Sequence, residues 1–380
     1  MKKLAIFSSI LFLLLLCSCE KEDSSSLDPT TLNPNEFALL FPGYIGLDQL
    51  ELNDNTSVFF YSDGMDNITL SAIDSKGTIL WTKAHPSHAN EIVSQISIIP
   101  FVSNGNIVAF STGFGIHRYE FNSDGDLLEA RTVSNESGYY LYRNGNELYG
   151  VRATDNGDLT DAEFIKLSMD GNIYDSSIFS ASRVQYSYHV KVKNDRVYFF
   201  GRGFGPNNVD EFFFCEIYSY SGDFIKRIEL DVPENSARHT QRIMENGNFI
   251  MTIENYLNGE TQDFQIHAFD PEGNSIKSFT FDSTDRLQIS ALPNGHLGVC
   301  GKEGNSSNGS KNSQFAVYDT NMNEVYRRNI GSYDGRELFY RAKEYFDSYH
   351  IFGNTSGSDG DFDLANNSPV IDLFYLKLEK

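Results

Sequence analysis

Four arginines, Arg183, Arg238, Arg286 and Arg336, recur along the chain at separations of 55, 48 and 50 residues. A guanidinium offers a planar fork of N–H donors that fits carboxylate, sulfate and phosphate groups. Gathered in one place, the four would bind an anion. Tyr186, His189, His239, Arg242, Tyr340 and Arg341 follow them within six residues and are the expected neighbours of such a site. The chain is strongly acidic, with a formal net charge of −22 over 380 residues, so a cluster of cations would be an exception on its surface. The same arginines also have acids close in sequence: Glu234 for Arg238, Asp282 or Asp285 for Arg286, Asp334 or Glu337 for Arg336. A local ion-pair network is the competing reading of these residues.

Other residue patterns carry less chemistry. His85-Pro-Ser-His88 supplies two imidazoles without a third clustered ligand. Asp155-Asn-Gly-Asp158 with Asp161 and Glu163, and Asp359-Gly-Asp361 with Asp363, are rich in oxygen ligands but depart from the register of a calcium loop, and solvated acidic loops account for them. No nucleophile elbow, phosphate loop or metal signature is present. No metal, no other cofactor and no catalytic residue is therefore expected. The acidic balance repels nucleic acid.

Residues fifty apart are brought together by a repeat, and two families of tight turns mark one. The first is Asn104-Gly105, Asn144-Gly145, Asn194-Asp195, Asn246-Gly247 and Asn294-Gly295, dipeptides that accept the positive φ of a type I′ hairpin. The second is Asp74-Ser-Lys-Gly77, Asn122-Ser-Asp-Gly125, Ser168-Met-Asp-Gly171, Ser219-Tyr-Ser-Gly222, Asp270-Pro-Glu-Gly273 and the glycine-free Asp319-Thr-Asn-Met322, whose first residues lie 48, 46, 51, 51 and 49 apart. In one repeat the turns separate four strand-like runs: Thr240 to Met244, Asn248 to Ile253, Asp263 to Phe269 and Ser275 to Phe281. Runs such as Phe249 to Ile253 are apolar on both faces, as strands covered by sheets on both sides must be. Self-similarity at this period with four strands per unit predicts an all-β fold, a seven-bladed β-propeller of four antiparallel strands per blade, within a range of six to eight blades. Leu373 to Leu378 is a seventh third strand, and the run Glu36 to Phe41 supplies the missing fourth strand that closes the last blade and hides both edges.

In such a ring the b–c and d–a connections share the face that usually carries ligands. Here they include the long segments Arg152 to Ala162, Gly201 to Glu211, Lys302 to Ser313 and Asn354 to Pro369. The four arginines precede the inner strand of four consecutive repeats and would form an arc on that rim. Cys215 and Cys300 lie in apolar strand-like runs and are expected as buried free thiols.

Met1-Lys2-Lys3 and the apolar run Leu4 to Leu16 have the form of a secretory leader, and thirteen residues are too few to span a membrane. Leu16-Cys17-Ser18-Cys19 resembles the lipobox of bacterial lipoproteins, which implies cleavage after Ser18 and lipidation of Cys19, with the membrane as partner through the acyl anchor. Glu20-Lys21-Glu22-Asp23 resembles the surface-export signal of Bacteroidota lipoproteins and implies display on the outer face of the outer membrane. The expected division is residues 1–18 as signal peptide, 19–35 as lipidated flexible tether and 36–380 as propeller. Loss of Lys2 and Lys3 with the leader takes the charge from −22 to −24.

The repeat, with Phe164-Ile-Lys-Leu167 before a glycine turn and the late segment Gly353-Asn-Thr-Ser356, is similar to propeller repeats of secreted Bacteroidota proteins. Ala72 to Trp81 resembles a quinoprotein repeat, but Trp81 is alone where that family repeats its docking tryptophan, so no quinone is expected. Sialidase boxes, WD dipeptides and kelch double glycines are absent. Asp282-Ser283-Thr284 resembles an O-glycosylation sequon of the same phylum. The expected function is that of a noncatalytic cell-surface lipoprotein, a binding or scaffold propeller for glycans or protein partners, with an anionic glycan as the ligand the arginines suit. A propeller glycoside hydrolase or polysaccharide lyase acting at the channel mouth is the alternative.

Overall fold

The computed structural model describes residues 37–380 except 43–44, 54, 63–66, 87–96, 113–114, 145–146, 156–159, 181–185, 205–210, 220, 222, 233–238, 258–259, 284–286, 303–312, 331–336, 346 and 356–371. The leader, the tether and all four arginines of the expected arc lie outside the described residues. Twenty-eight described strands form seven antiparallel sheets of four. Blades 1 to 6 occupy residues 45–86, 97–134, 140–180, 186–231, 239–281 and 288–330, each running a to d from the axis outward. Blade 7 takes its first three strands from 337–379 and its fourth from the other end of the chain. There β1 (Phe37–Pro42) pairs antiparallel with β28 (Asp372–Glu379), from Phe37 opposite Lys377 to Pro42 opposite Asp372. The seven-bladed propeller and its terminal clasp are as the turn spacing predicts.

Alternating side chains explain why no blade can stand alone. In β3 (Thr56–Ser62), Val58 and Phe60 join the apolar cluster shared with blade 2, while Phe59 and Tyr61 join the one shared with blade 7. A strand buried on both faces must be flanked by two sheets. Among the described residues there are seven such clusters, one between each pair of neighbours. Each fully buried phenylalanine or tyrosine contributes about 2–3 kcal/mol through them.

The turns hold these sheets in register. Asn104 and Gly105 both have positive φ (53° and 81°), as do Asn194 and Asn294 with their successors, so these three dipeptides are the left-handed pairs expected. Asn246-Gly247 differs. Only Gly247 is left-handed, and its N–H donates to Met244 O, the pattern of the second family, whereas the Asn294-Gly295 turn is closed by His296 N donating to Pro293 O. In that second family Gly77, Gly125, Gly171 and Gly273 all sit near φ 80°, and Met322 takes the same conformation at φ 60°. A non-glycine residue there costs roughly 1–2 kcal/mol. Met322 offsets this by burying its side chain between blades 5 and 6, at 1% exposure.

These turns are also where each blade grips the next. His85 donates from Nε2 to Gly125 O (2.8 Å), Lys226 to Gly273 O (2.9 Å) and Lys277 to Met322 O (2.7 Å), each reaching the c–d turn of the following blade. Trp81 fits against Gly125 so closely that a β-carbon added to that glycine would lie 2.4 Å from the indole ring. The lone tryptophan therefore docks one blade on another.

The seam between blades 7 and 1 differs from the other six. Among the described residues its apolar cluster has five buried members, Phe59, Tyr61, Ile73, Phe352 and Tyr375, against eight to thirteen elsewhere, and a buried polar set accompanies it. His350 Nδ1 accepts from Tyr375 OH and from Gln49 Nε2 (3.2 Å), and its Nε2 donates to Ser348 Oγ (2.9 Å). That arrangement uses the neutral imidazole. Burial, and then the positive charge of Lys377, push the His350 pKa down from 6.5 to about 3. A base held neutral in the folded state contributes stability that is complete above its unfolded pKa and is lost as pH falls towards the folded one, worth up to about 5 kcal/mol. The melting temperature should accordingly fall between pH 6.5 and 3, and His350→Gln should flatten that fall. Parallel profiles for the two proteins would contradict this account.

Candidate functional site

The a–b and c–d connections make one end of the ring, here the turn face, and are two to five residues long. The b–c and d–a connections make the loop face and reach ten residues (303–312) and sixteen (356–371). Two of the four long loops expected there are shorter, because the flanking strands run further. Arg152 pairs with Glu163 and Asp155 with Thr160 inside a hairpin, leaving only 156–159 between strands, and Phe204 still pairs with Glu211. Polar side chains disguise such extensions in sequence. Of the acidic cluster in the first hairpin, Glu163 is engaged, its Oε2 accepting from Arg152 Nε at 2.5 Å.

The expected site residues divide between the two ends. Arg183, Arg238, Arg286 and Arg336 lie outside the described residues. The inner strands of blades 4 to 7 begin at Tyr186, His239, Gln288 and Glu337, so the arginines precede four consecutive strand starts by three, one, two and one residues. Tyr186 and His189 lie on β14 (Tyr186–Lys193), His239 opens β18 (His239–Ile243), and Tyr340 and Arg341 lie on β26 (Glu337–Tyr345) at a register shift. Their side chains are not among those described. Arg242 is described, and it is not at the loop-face mouth. Three residues past His239, it stands about 10 Å further along the strand, near the turn face.

There the axial channel widens into a cavity of about 600 Å³ walled by the inner strands of all seven blades. Its wall includes Arg143, Lys191, Lys193, Arg242 and Lys343 against Glu51, Glu245 and Glu344. A second cation series is thus present, close to the a–b turn of each repeat rather than the d–a connection. It was legible in principle. Arg143, Lys191, Arg242 and Lys343 each stand two or three residues before an a–b turn, a spacing visible when positions are counted back from those turns and not from the strand starts.

Several of these groups also link the inner strands in succession. Lys191 Nζ donates to Gln241 O (2.7 Å), Arg242 Nε to Ile289 O (2.8 Å) and Ala342 N to Ser290 Oγ (2.9 Å). Lys343 donates to Gln49 O and pairs with Asp48 Oδ1 at 3.0 Å. Blades 4, 5, 6, 7 and 1 are joined in this way around the axis. Burial, and then repulsion from Arg242, hold Lys191 well below the usual ammonium pKa. Burial raises the Glu51 carboxyl against the opposing hydrogen bond from Ser57 Oγ (2.5 Å). Both shifts weaken charge on the wall.

Other expected sites resolve as structure. Cys215 and Cys300 are buried free thiols, with pKa values raised by burial. His85 is committed to the blade 2 turn. Ser283 of the glycosylation-like tripeptide is fully buried and so cannot accept a glycan in the folded protein. Among the described residues no group of three His, Cys, Asp or Glu is placed to hold a metal ion.

No family model matches the chain, and no curated protein matches it. Solved structures do. The polysaccharide lyase Uly1 superposes with a TM-score of 0.53 at 11% identity, over 87% of this chain and 89% of that one. The β-propeller domain of the Trilobed protease from Pyrococcus furiosus, described as having an open velcro topology, gives 0.50 at 11% identity over 90% and 96%. Identities this low establish the fold alone.

A buried amine driven towards its neutral form destabilises the fold at ordinary pH, because the unfolded chain binds a proton that the folded one resists. Lys191→Met is expected to stabilise the protein by about 1–3 kcal/mol, with a gain that grows as pH falls from 10 to 7. Thermal melts across that range check it, and a loss of stability would mean that the Gln241 contact outweighs the desolvation.

Proposed function

We propose that the protein is a noncatalytic cell-surface lipoprotein, held in the outer membrane through acyl chains on Cys19, whose propeller binds an anionic glycan or a protein partner on its loop face. The supporting observation is the alignment of Arg183, Arg238, Arg286 and Arg336 with four consecutive inner-strand starts. The described inner strands all start at one rim, and bidentate forks repeated just ahead of those starts in the sequence would suit a polymer bearing carboxylate or sulfate at intervals. The long connections at 303–312 and 356–371 belong to the same face. The anchor rests on the leader and on the residues around Cys19.

The rival is a propeller lyase or glycoside hydrolase, favoured by the shared fold with a polysaccharide lyase. Such chemistry needs converging carboxylates, or a tyrosine beside a histidine, in reach of substrate. The described Tyr375–His350 contact is sealed in the seam, at 2% and 7% exposure, and serves the fold.

Two experiments test the reading. Cys19→Ala should abolish incorporation of radiolabelled palmitate and move the protein from the membrane to the soluble fraction, whereas retained label would remove the anchor from the proposal. On a glycan array the protein should retain an anionic glycan, and the double variant Arg238→Ala, Arg286→Ala should lose it. Unchanged binding would exclude the arc, and release of unsaturated or reducing ends from the captured glycan would transfer the protein to the enzymes.

A further inference from the structure

The outer edge of blade 3 departs from that of every other blade. We propose that β13 (Ile173–Ser180), the outermost strand of that blade, is the edge through which two copies of this chain pair, antiparallel and about a two-fold axis at Ser176. The last strand of a sheet presents unpaired N–H and C=O groups that invite another strand, and proteins ordinarily blunt such edges with charged residues or proline. Six of the seven d strands are blunted in this way, by Lys83, Arg131, Lys226, Lys277, Arg327 and Pro42 in blades 1, 2, 4, 5, 6 and 7. The sequence of β13, Ile-Tyr-Asp-Ser-Ser-Ile-Phe-Ser, has no basic residue and no proline. Its one charge, Asp175, is neutralised by Lys166 Nζ of the adjacent strand at 3.2 Å. The register shift beside its c–d turn recurs in blades 1, 2, 4, 5 and 6 and does not set this edge apart.

β13 is also bare on both faces. Every residue from Ile173 to Ile178 is exposed, Tyr174 at 54% and Ile178 at 68%. The d strands of blades 1, 2, 4, 5 and 6 each have two or more residues half-buried or buried. Among the described residues every other d strand gives a side chain to an apolar cluster, as Trp81, Tyr326 and Leu39 do, and β13 gives none. Its apolar side chains thus contribute little to the ring, and exposed apolar surface beside an open edge marks a place of association.

The sequence of the strand selects a second copy as its partner. Alternate residues of an edge strand turn their N–H and C=O groups outward, so two copies of one strand pair antiparallel only about an axis through a residue. The axis at Ser176 sets Tyr174 opposite Ile178 of the second copy, Ile173 opposite its Phe179, Asp175 opposite its Ser177 and Ser176 opposite its Ser176. Aromatic residues then face aliphatic ones, a hydroxyl faces the carboxylate, and no like charges meet. An axis at Ser177 would instead set Asp175 opposite Phe179.

Sedimentation velocity on the full chain tests the pairing. The protein should pass from monomer to dimer as its concentration rises, half-associated at about 10 µM, as suits an interface of one strand pair. No larger species should form, because an isologous pair leaves no β13 edge open. Ile178→Lys should be monomeric at every concentration with an unchanged melting temperature, since Ile178 belongs to no core cluster. Ser176→Glu and Ser176→Lys should each be monomeric alone, with like charges set opposite each other, and dimeric when mixed in equal amounts. A wild-type monomer throughout, a dimer that survives Ile178→Lys, or a mixture that stays monomeric overturns the proposal. A monomer that captures an immobilised peptide of alternating valine and threonine would assign the edge to an extended segment of another protein, and this also overturns the pairing of copies. The loop-face double variant Arg238→Ala, Arg286→Ala should dimerise as the wild type does, so the result stands apart from that of the glycan array.

Discussion

Every blade depends on cover for both of its faces, and the rest of the molecule follows from that requirement. Adjacent residues of one strand serve different neighbours, so Val58 and Phe59 contribute to interfaces on opposite sides of blade 1. A stack of such sheets with free ends would expose two apolar faces. Bending it into a ring removes both, and closure then falls on a single seam. The chain meets that demand by giving blade 7 its outermost strand from the N-terminal end.

Apolar cover alone does not set the angle between blades, and the polar ties complete it. At the turn face, side-chain N–H groups from one blade donate to the carbonyl oxygens of the next blade's c–d turn, as those of His85, Lys226 and Lys277 do. Around the axis, Lys191, Arg242 and Lys343 do the same between inner strands. A carbonyl at a tight turn faces out of its own sheet, which makes it available to a neighbour. The run of basic residues along the lumen of an acidic protein is thus in the first place a by-product of how the blades are joined.

Much of this was legible in sequence because turn chemistry is local. A left-handed position favours glycine or asparagine whatever surrounds it, with Asp195 and Met322 as the exceptions, so Gly77, Gly125, Gly171 and Gly273 marked the blades and their period. Asn246-Gly247 misled because the same dipeptide serves two turn geometries, and the inner bond separates them: Gly247 N donates to Met244 O, whereas at Asn294-Gly295 His296 N donates to Pro293 O. The seam was hidden for the opposite reason. Gln49 and His350 stand 301 residues apart, and neither has a pattern that names the other. Of the candidate site, strand starts could be read from the repeat, whereas the convergence of Lys191, Arg242 and Lys343 on one cavity required knowing how far each inner strand runs.

The clasp has a mechanical side. As a fourth strand, β1 begins at the turn face, and its first residue, Phe37, pairs with Lys377 near the end of β28. Beyond Pro42 the chain passes directly into blade 1. Tension on the segment ahead of Phe37 therefore runs along β1 and is resisted in shear by all six residue pairs at once, instead of peeling them apart one after another. A molecule tethered by that segment would hang with its turn face towards the surface that holds it, and the ring would carry the load at its joint without being pried open.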